Sequence, residues 1–374
     1  MELVNGTPYQ TGYTIATRPD GRELLVVLVK GTFIIPEAGM PVVLAEDQVP
    51  LVETDVFTGD PGFSAPLYEN EFAPSKPSCD VLLVGSAYAP HGQPTKRVHV
   101  SLQVDGWTKS FEVVGHRVWQ SSLGQLGPSE PEPFVTVPIS YNNAFGGVDR
   151  LGKVEAEYTY FLENPVGLGY CESMDIELLE GQSLPNTEEI DAPITTTYRK
   201  YRPMSFGVIG RSWQQRIKYA GTYDTTWLEQ KFPFLPDDFQ NNYFLSAPED
   251  QQIPYIKGKE QVRMTNLTSD GLRTFDLPTI SDPCTFFFKD GRERRIRGVV
   301  DTFVLGPDLG RFSLTSRISL PLQRSHHEIS RVIVGQTKPE RVHVDGAVEE
   351  YWGKPYYKSL SDLIAAHRAR PPRQ

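Results

Sequence analysis

The sequence predicts a mainly β protein: two β-sandwich-like lobes joined by long irregular connections, with a few short helices. Three observations predict it. Gly and Pro number 31 each among 374 residues, so about one residue in six interrupts regular structure. That disfavours long helices and favours short strands joined by turns. Apolar, branched runs of strand length recur along the chain, and Asp-Gly or Ser-Asp-Gly turn signals separate several of them.

The elements follow in chain order. Residues 24–35 form an apolar, β-branched run stopped by Pro36, the pattern of a fully buried strand. Asp20-Gly21 before it predicts a hairpin with residues 13–17. Residues 80–87 and 97–104 are further strands. In the second of these Val98, Val100, Leu102 and Val104 alternate with His99, Ser101 and Gln103, the period of a half-buried strand. Asp105-Gly106 turns the chain back into residues 107–114. Residues 123–138 are rich in Gly and Pro and mark a lobe boundary. Residues 141–203 carry many turn signals and little regular periodicity. Short helices are predicted at 212–219, with Trp213, Arg216 and Ile217 on one face, and at 225–231. Strands resume at 260–267, 271–278, 284–289, 294–304, 312–320 and 331–335, with turns at Ser269-Asp270-Gly271 and Asp290-Gly291. Ser361 is placed to cap a closing helix at 362–370, ended by Pro371-Pro372. The predicted organisation is therefore an N-terminal β lobe at 1–125, a loop-rich connection at 126–205, a C-terminal β lobe with short helices at 206–350, and a basic tail at 351–374.

Composition narrows the function. A formal charge of −10 argues against nucleic-acid binding. The charge is uneven: seven acidic residues and no Lys or Arg lie between Glu172 and Asp191, whereas five basic residues meet two acidic ones between Lys289 and Arg297. Runs of this kind are solvated faces or patches that orient a protein partner. The cysteines Cys79, Cys171 and Cys284 are far apart, which speaks against a disulfide framework or a zinc site. The chain opens without a basic region followed by an apolar run, and the apolar run near residues 24–29 is too short to span a bilayer. A cytoplasmic protein with no membrane contact is expected.

Catalytic patterns are lacking. His326-His327 has only Glu328 beside it and forms no His-Glu-x-x-His arrangement. Asp237-Asp238 and Glu188-Glu189 are adjacent in sequence, whereas a paired acid and base must converge across a cleft. Gly146-Gly147 and Gly167-Leu168-Gly169 lack the strand-before, helix-after setting of a dinucleotide fingerprint, and no phosphate loop or Gly-x-Ser-x-Gly elbow occurs. No catalytic residue, metal site or cofactor is expected.

The most distinctive segment lies between Gly207 and Phe239. It sets Trp213, Tyr219, Tyr223, Trp227, Phe232, Phe234 and Phe239 among glycines, prolines and charges. Two readings fit. Large amphipathic rings between rigid turns suit a recognition surface; they equally suit ordinary core packing. Arg216 likewise reads as a partner contact, paired with a carboxylate such as Asp224, or as a structural clamp between loops. Lys76-Pro77 reads as a turn fixed by one charge or as a surface contact.

Across nearly its whole length the chain resembles the bacterial family termed domain of unknown function 2169. The resemblance is carried by Val29-Lys-Gly-Thr-Phe, Ala73-Pro-Ser-Lys-Pro-Ser-Cys-Asp-Val, Gly85-Ser-Ala-Tyr-Ala-Pro and Gly115-His-Arg-Val-Trp. Tyr141-Asn-Asn-Ala-Phe-Gly-Gly-Val-Asp, Glu163-Asn-Pro-Val-Gly-Leu-Gly, the aromatic stretch itself, Ala247-Pro-Glu-Asp-Gln-Gln and Lys257-Gly-Lys-Glu continue it in order. What the resemblance implies is a non-enzymatic adaptor or chaperone of type VI secretion. It would bind an effector bearing a PAAR domain and help seat it on the VgrG spike. It carries no catalytic residues over. The residues expected to meet the partner are Trp213, Arg216, Tyr219, Tyr223, Asp224 and Trp227. The competing expectation is a β-sandwich that binds or hydrolyses cell-wall or other polysaccharide, since aromatic faces also stack on sugars.

Overall fold

Gly21, with φ at 79°, reverses the chain between the strands Gln10–Thr17 and Glu23–Ile34, which pair antiparallel over their full shared length. This is the predicted first hairpin, and the long apolar strand becomes part of the largest sheet. The computed structural model describes residues 1–18, 20–280 and 282–336, and the backbone of 340–344 and 347–351. The expected closing helix and the basic tail beyond residue 351 lie outside the described residues.

Three sheets carry the fold, which is mainly β. A seven-stranded sheet runs in the order Gln252–Ile253, Cys79–Leu83, Val299–Gly306, Arg311–Pro321, Glu23–Ile34, Gln10–Thr17, with Val43–Leu44 added beside Glu23–Ile34. A five-stranded sheet runs Thr187–Glu188, Trp107–Val114, Arg97–Val104, Gln261–Thr265, Leu272–Asp276. A four-stranded sheet runs Glu2–Gly6, Ile329–Gly335, Pro283–Phe288, Glu293–Arg297. Among the described residues none of them closes into a barrel.

One face of the seven-stranded sheet serves both of the others. Along Glu23–Ile34 the odd positions share that face. Phe33 joins Val81, Leu83, Phe303, Phe312 and Leu314 against Val98, Val100, Leu102, Phe111 and Met264 of the five-stranded sheet. Leu25, Val27 and Val29, with Ile318 and Leu320, meet Cys284, Phe286, Val332 and Val334 of the four-stranded sheet. Each such side chain stabilises the fold by about 1.5–3 kcal/mol on burial. Each of the three sheets joins strands from 1–125 to strands from 206–350, in addition to the antiparallel pairs formed within each interval.

Two predicted strands prove to be two strands each. The run 294–304 breaks at Gly298 into Glu293–Arg297 of the four-stranded sheet and Val299–Gly306 of the seven-stranded one. A Cβ at Gly298 would collide with Ser316 Oγ and crowd the Arg317 carbonyl, so the chain changes sheets where only glycine fits. The run 80–87 divides similarly into Cys79–Leu83 and Gly85–Tyr88, the latter paired with Thr136–Ile139. Period and apolarity mark strands well but carry no signal for a change of sheet.

The opposite face of the seven-stranded sheet is buried yet polar. Lys30 reaches Glu71 at 2.8 Å, and Thr315 donates to the same carboxylate at 2.8 Å. Lys76 bonds Asp80 at 2.7 Å and Thr302 at 3.0 Å, while Asp80 also accepts from the backbone N–H groups of Ser246 and Ala247. Arg317 pairs with Asp301. Lys76 is thus neither a surface contact nor merely a turn charge. It is a buried cation bonded to strands of the sheet. These pairs hold the crossing segments 45–76 and 244–251 against the sheet, because an unpaired buried charge is costly.

The connecting region holds strands of only two to four residues and short helical turns, as its composition predicts. Asn164 organises it: fully buried, it donates from Nδ2 to the carbonyls of Tyr141 and Phe145. Gly146 and Gly147, at φ 148° and 98°, pass so close to Asn164 and Gly167 that any side chain there would collide with backbone carbonyls. These glycines serve close packing and positive φ.

Candidate partner-binding surface

The segment 204–250 leaves the core in three stages. Phe206 is buried and lies 4.7 Å from Phe111, ring centre to ring centre, and Val208 packs with Leu82 and Ala247. Its backbone is tied to the largest sheet through Leu83 N–H to the Phe206 carbonyl at 3.0 Å. This first stage is core.

The second stage is a clamp. Trp213 caps the one-turn helix Gln214–Ile217 and sits edge-on to the Tyr141 ring at 5.2 Å, in a buried cluster with Ala65, Ala144 and Ile209. Arg216 is 1% exposed. Its guanidinium donates to the carbonyls of Ile209 and Tyr243 and to Glu69 at 2.8 Å. Arg211 reaches the same Glu69 at 2.8 Å and also Asp55. Burial pulls the Asp55 carboxyl upward, but hydrogen bonds from Arg211 and the Asn70 N–H prevail and hold it below the ordinary carboxylate value. The two arginines therefore staple segment 55–70 to segment 209–216.

The third stage projects. Gln240 N–H bonds the Tyr219 carbonyl at 3.0 Å, and Thr222 bonds Asp238 through both its N–H and its hydroxyl. These contacts close the base of an excursion that spans residues 222–238. Tyr219 and Lys218 both donate to Glu249, which raises the Tyr219 phenol and lowers the Glu249 carboxyl. Inside the excursion Asp224 accepts from the Trp227 N–H at 2.8 Å and caps the helix Thr225–Gln230. Trp227 donates from its indole to the Phe234 carbonyl at 2.9 Å. Tyr223 and Phe232 stand edge-on against the Trp227 ring at 4.7 and 5.7 Å. Lys231 pairs with Asp237 across the stem at 2.7 Å. Leu228 and Phe232 remain 59% and 63% exposed, and Tyr223 52%.

The six expected contact residues accordingly divide. Tyr223, Asp224 and Trp227 share the projecting excursion, and Tyr219 sits at its base. Trp213 and Arg216 are interior, so their reading as partner contacts gives way to the core and clamp readings. Arg216 pairs with Glu69, not with Asp224. The helical spacing of Trp213, Arg216 and Ile217 does put them on a common short helix, yet it is Ile217, 49% exposed, that faces solvent. Glu69 lies 147 positions away in sequence, and no local pattern announces it. Leu228 and Phe232 enlarge the exposed patch; only Phe232 stood out by composition.

Among the described residues no cluster of three or more His, Cys, Asp or Glu side chains is placed to hold a metal ion. His326 instead contacts Glu23 at 2.8 Å, and the three cysteines are free thiols. Among the described residues no helix is long and apolar enough to cross a membrane.

A mainly β, multi-sheet protein that offers a ring-bearing excursion on a stapled base is the class the fold and this surface define. Residues 20–317 match the family described as an uncharacterized protein conserved in bacteria (DUF2169), and the chain belongs to that family. No curated protein and no solved structure matches it.

Proposed function

We propose that this protein is a non-enzymatic adaptor or chaperone that binds a PAAR-domain effector of type VI secretion and helps load it onto the VgrG spike. The observation that carries the reading is the cluster of exposed Tyr223, Leu228 and Phe232 around the half-buried Trp227. An apolar patch of aromatic rings on a firmly held excursion is the composition of an interaction hot spot, where rigid rings add contact area at little entropic cost. The sequence resemblance supplies the choice of partner. The work of such an adaptor is to shield apolar surface of the effector in the cytoplasm until the spike takes it.

The experiment is co-purification of the tagged chain from cells that also express the neighbouring spike and effector genes. The reading predicts stable capture of the PAAR-bearing effector, lost when its PAAR region is deleted and weakened by Trp227→Ala with Phe232→Ala. Recovery of the chain alone while secretion is active would overturn it.

A further inference from the structure

Among the described residues the strand Glu293–Arg297 forms one edge of the four-stranded sheet and is hydrogen-bonded on one side only, to Pro283–Phe288. The direction of its free backbone groups follows from the turn that precedes it. Phe288 N–H donates to the Arg292 carbonyl, so residues 288 and 292 form a hydrogen-bonded pair. Antiparallel pairs alternate between hydrogen-bonded and non-bonded. With Phe287 opposite Glu293, Thr285 opposite Arg295 and Pro283 opposite Arg297, these three are the non-bonded pairs. Pro283, which has no N–H to give, fits its place in that series. Glu293, Arg295 and Arg297 therefore direct their own N–H and C=O groups away from the sheet, toward the open edge.

The side chains add charge to that edge. Ile296 turns inward against the apolar cluster, whereas Arg294, Arg295 and Arg297 are all exposed. Among the described residues no ion pair or hydrogen bond engages these three guanidinium groups. Between Lys289 and Arg297 five basic residues meet two acidic ones, on a chain whose formal charge is −10. Exposed edges invite strand addition, and charge is a common device against indiscriminate pairing. Two copies of this edge would bring three arginines each into one ladder, which disfavours self-pairing. The hairpin of Glu340–Val344 and Ala347–Tyr351 forms its own two-stranded sheet and is not hydrogen-bonded to this edge.

We propose that Glu293–Arg297 is a docking edge that takes an extended acidic segment of a partner protein as an added strand. The outward backbone groups of Arg295 and its neighbours supply the ladder, and the arginines select acidic sequence. The inference stands apart from the ring-bearing excursion and does not depend on the identity of any cargo.

The test is fluorescence anisotropy of the full chain with a short labelled peptide of glutamate, threonine and valine. The proposal predicts binding that weakens at least about tenfold in the triple variant Arg294→Glu, Arg295→Glu, Arg297→Glu. It predicts a comparable loss with Arg295→Pro, which deletes one outward donor at a site where an edge strand tolerates proline. A peptide with alternate backbone N-methylation should also lose affinity, and a peptide with lysine for glutamate should not bind. Thermal unfolding verifies that the variants fold; if Arg295→Pro does not, the triple variant and the N-methylated peptide still decide. Equal binding of methylated and unmethylated peptides would overturn strand addition. So would failure of the acidic peptide to bind, or self-association of the chain abolished by the triple variant, which would make a second copy the occupant.

Discussion

Arg216 and Glu69 meet at 2.8 Å in the interior, the arginine 1% exposed, and their contact joins two segments distant in sequence. Its guanidinium also donates to the carbonyls of Ile209 and Tyr243. A planar fork with this many acceptors fixes the position of the one-turn helix that leads into the exposed excursion.

Removing Glu69 strands Arg216 as a buried, uncompensated charge, whereas removing Arg216 leaves Glu69 paired with Arg211. Glu69→Ala is expected to destabilise the fold by about 3–5 kcal/mol, and Arg216→Ala by less. Arg216→Lys cannot reproduce the fork and is expected to fall between that variant and the parent. Denaturant unfolding followed by tryptophan fluorescence measures the order.

Two tryptophans fourteen positions apart should respond differently. Trp213→Ala empties a buried site against Tyr141 and is expected to cost about 3–5 kcal/mol. Trp227→Ala removes a half-exposed ring, and a smaller loss, on the order of 1 kcal/mol, is expected together with weakened partner binding. If both variants unfold alike, the excursion is part of the core and not a surface for a partner.

Lys109 gives a signature on the alkaline side. Burial lowers its pKa from the ordinary 10.5 to about 8, and the neighbouring Asp250 only partly opposes that shift. Below pH 8 the lysine is protonated in both folded and unfolded chains. Between about 8 and 10.5 the unfolded chain holds the extra proton, so this group makes stability rise with pH across that window. Lys109→Met is expected to flatten the rise; Asp250 keeps Arg202 as its partner at 2.7 Å. Unfolding free energy measured at several pH values compares the slopes.

Asp149 gives the acid counterpart. Its burial raises the carboxyl, but hydrogen bonds from Lys153 and from the N–H groups of Glu172 and Leu151 outweigh this and lower it below 3.8. Its stabilising contribution is therefore complete above the unfolded carboxylate value and disappears as pH falls through the lowered one. Asp149→Asn should lower stability at neutral pH and reduce the acid sensitivity. Acid titration followed by circular dichroism reads both effects.

Much of the fold is legible in the residues. The alternation of Val98, Val100, Leu102 and Val104, the Asp20-Gly21 and Asp105-Gly106 turns, and the stop at Pro36 are local signals, and local sterics suffice to fix strands and hairpins. The surface was legible in part. Composition marks 207–239 as unusual and places Tyr223, Asp224 and Trp227, but not which rings are inside.

What the sequence determined by itself is therefore the mainly β character, the positions of many strands and turns, and membership of a bacterial family. Only the tertiary structure decided which strands share a sheet, that Gly298 passes the chain from one sheet to another, and that Arg216 answers to Glu69. It also left the backbone of Arg295 facing an edge that no other described strand pairs with. The physical reason is range. Period and turn chemistry act over a few residues, whereas sheet order, burial and ion pairing depend on contacts between segments far apart in the chain, which no local pattern encodes.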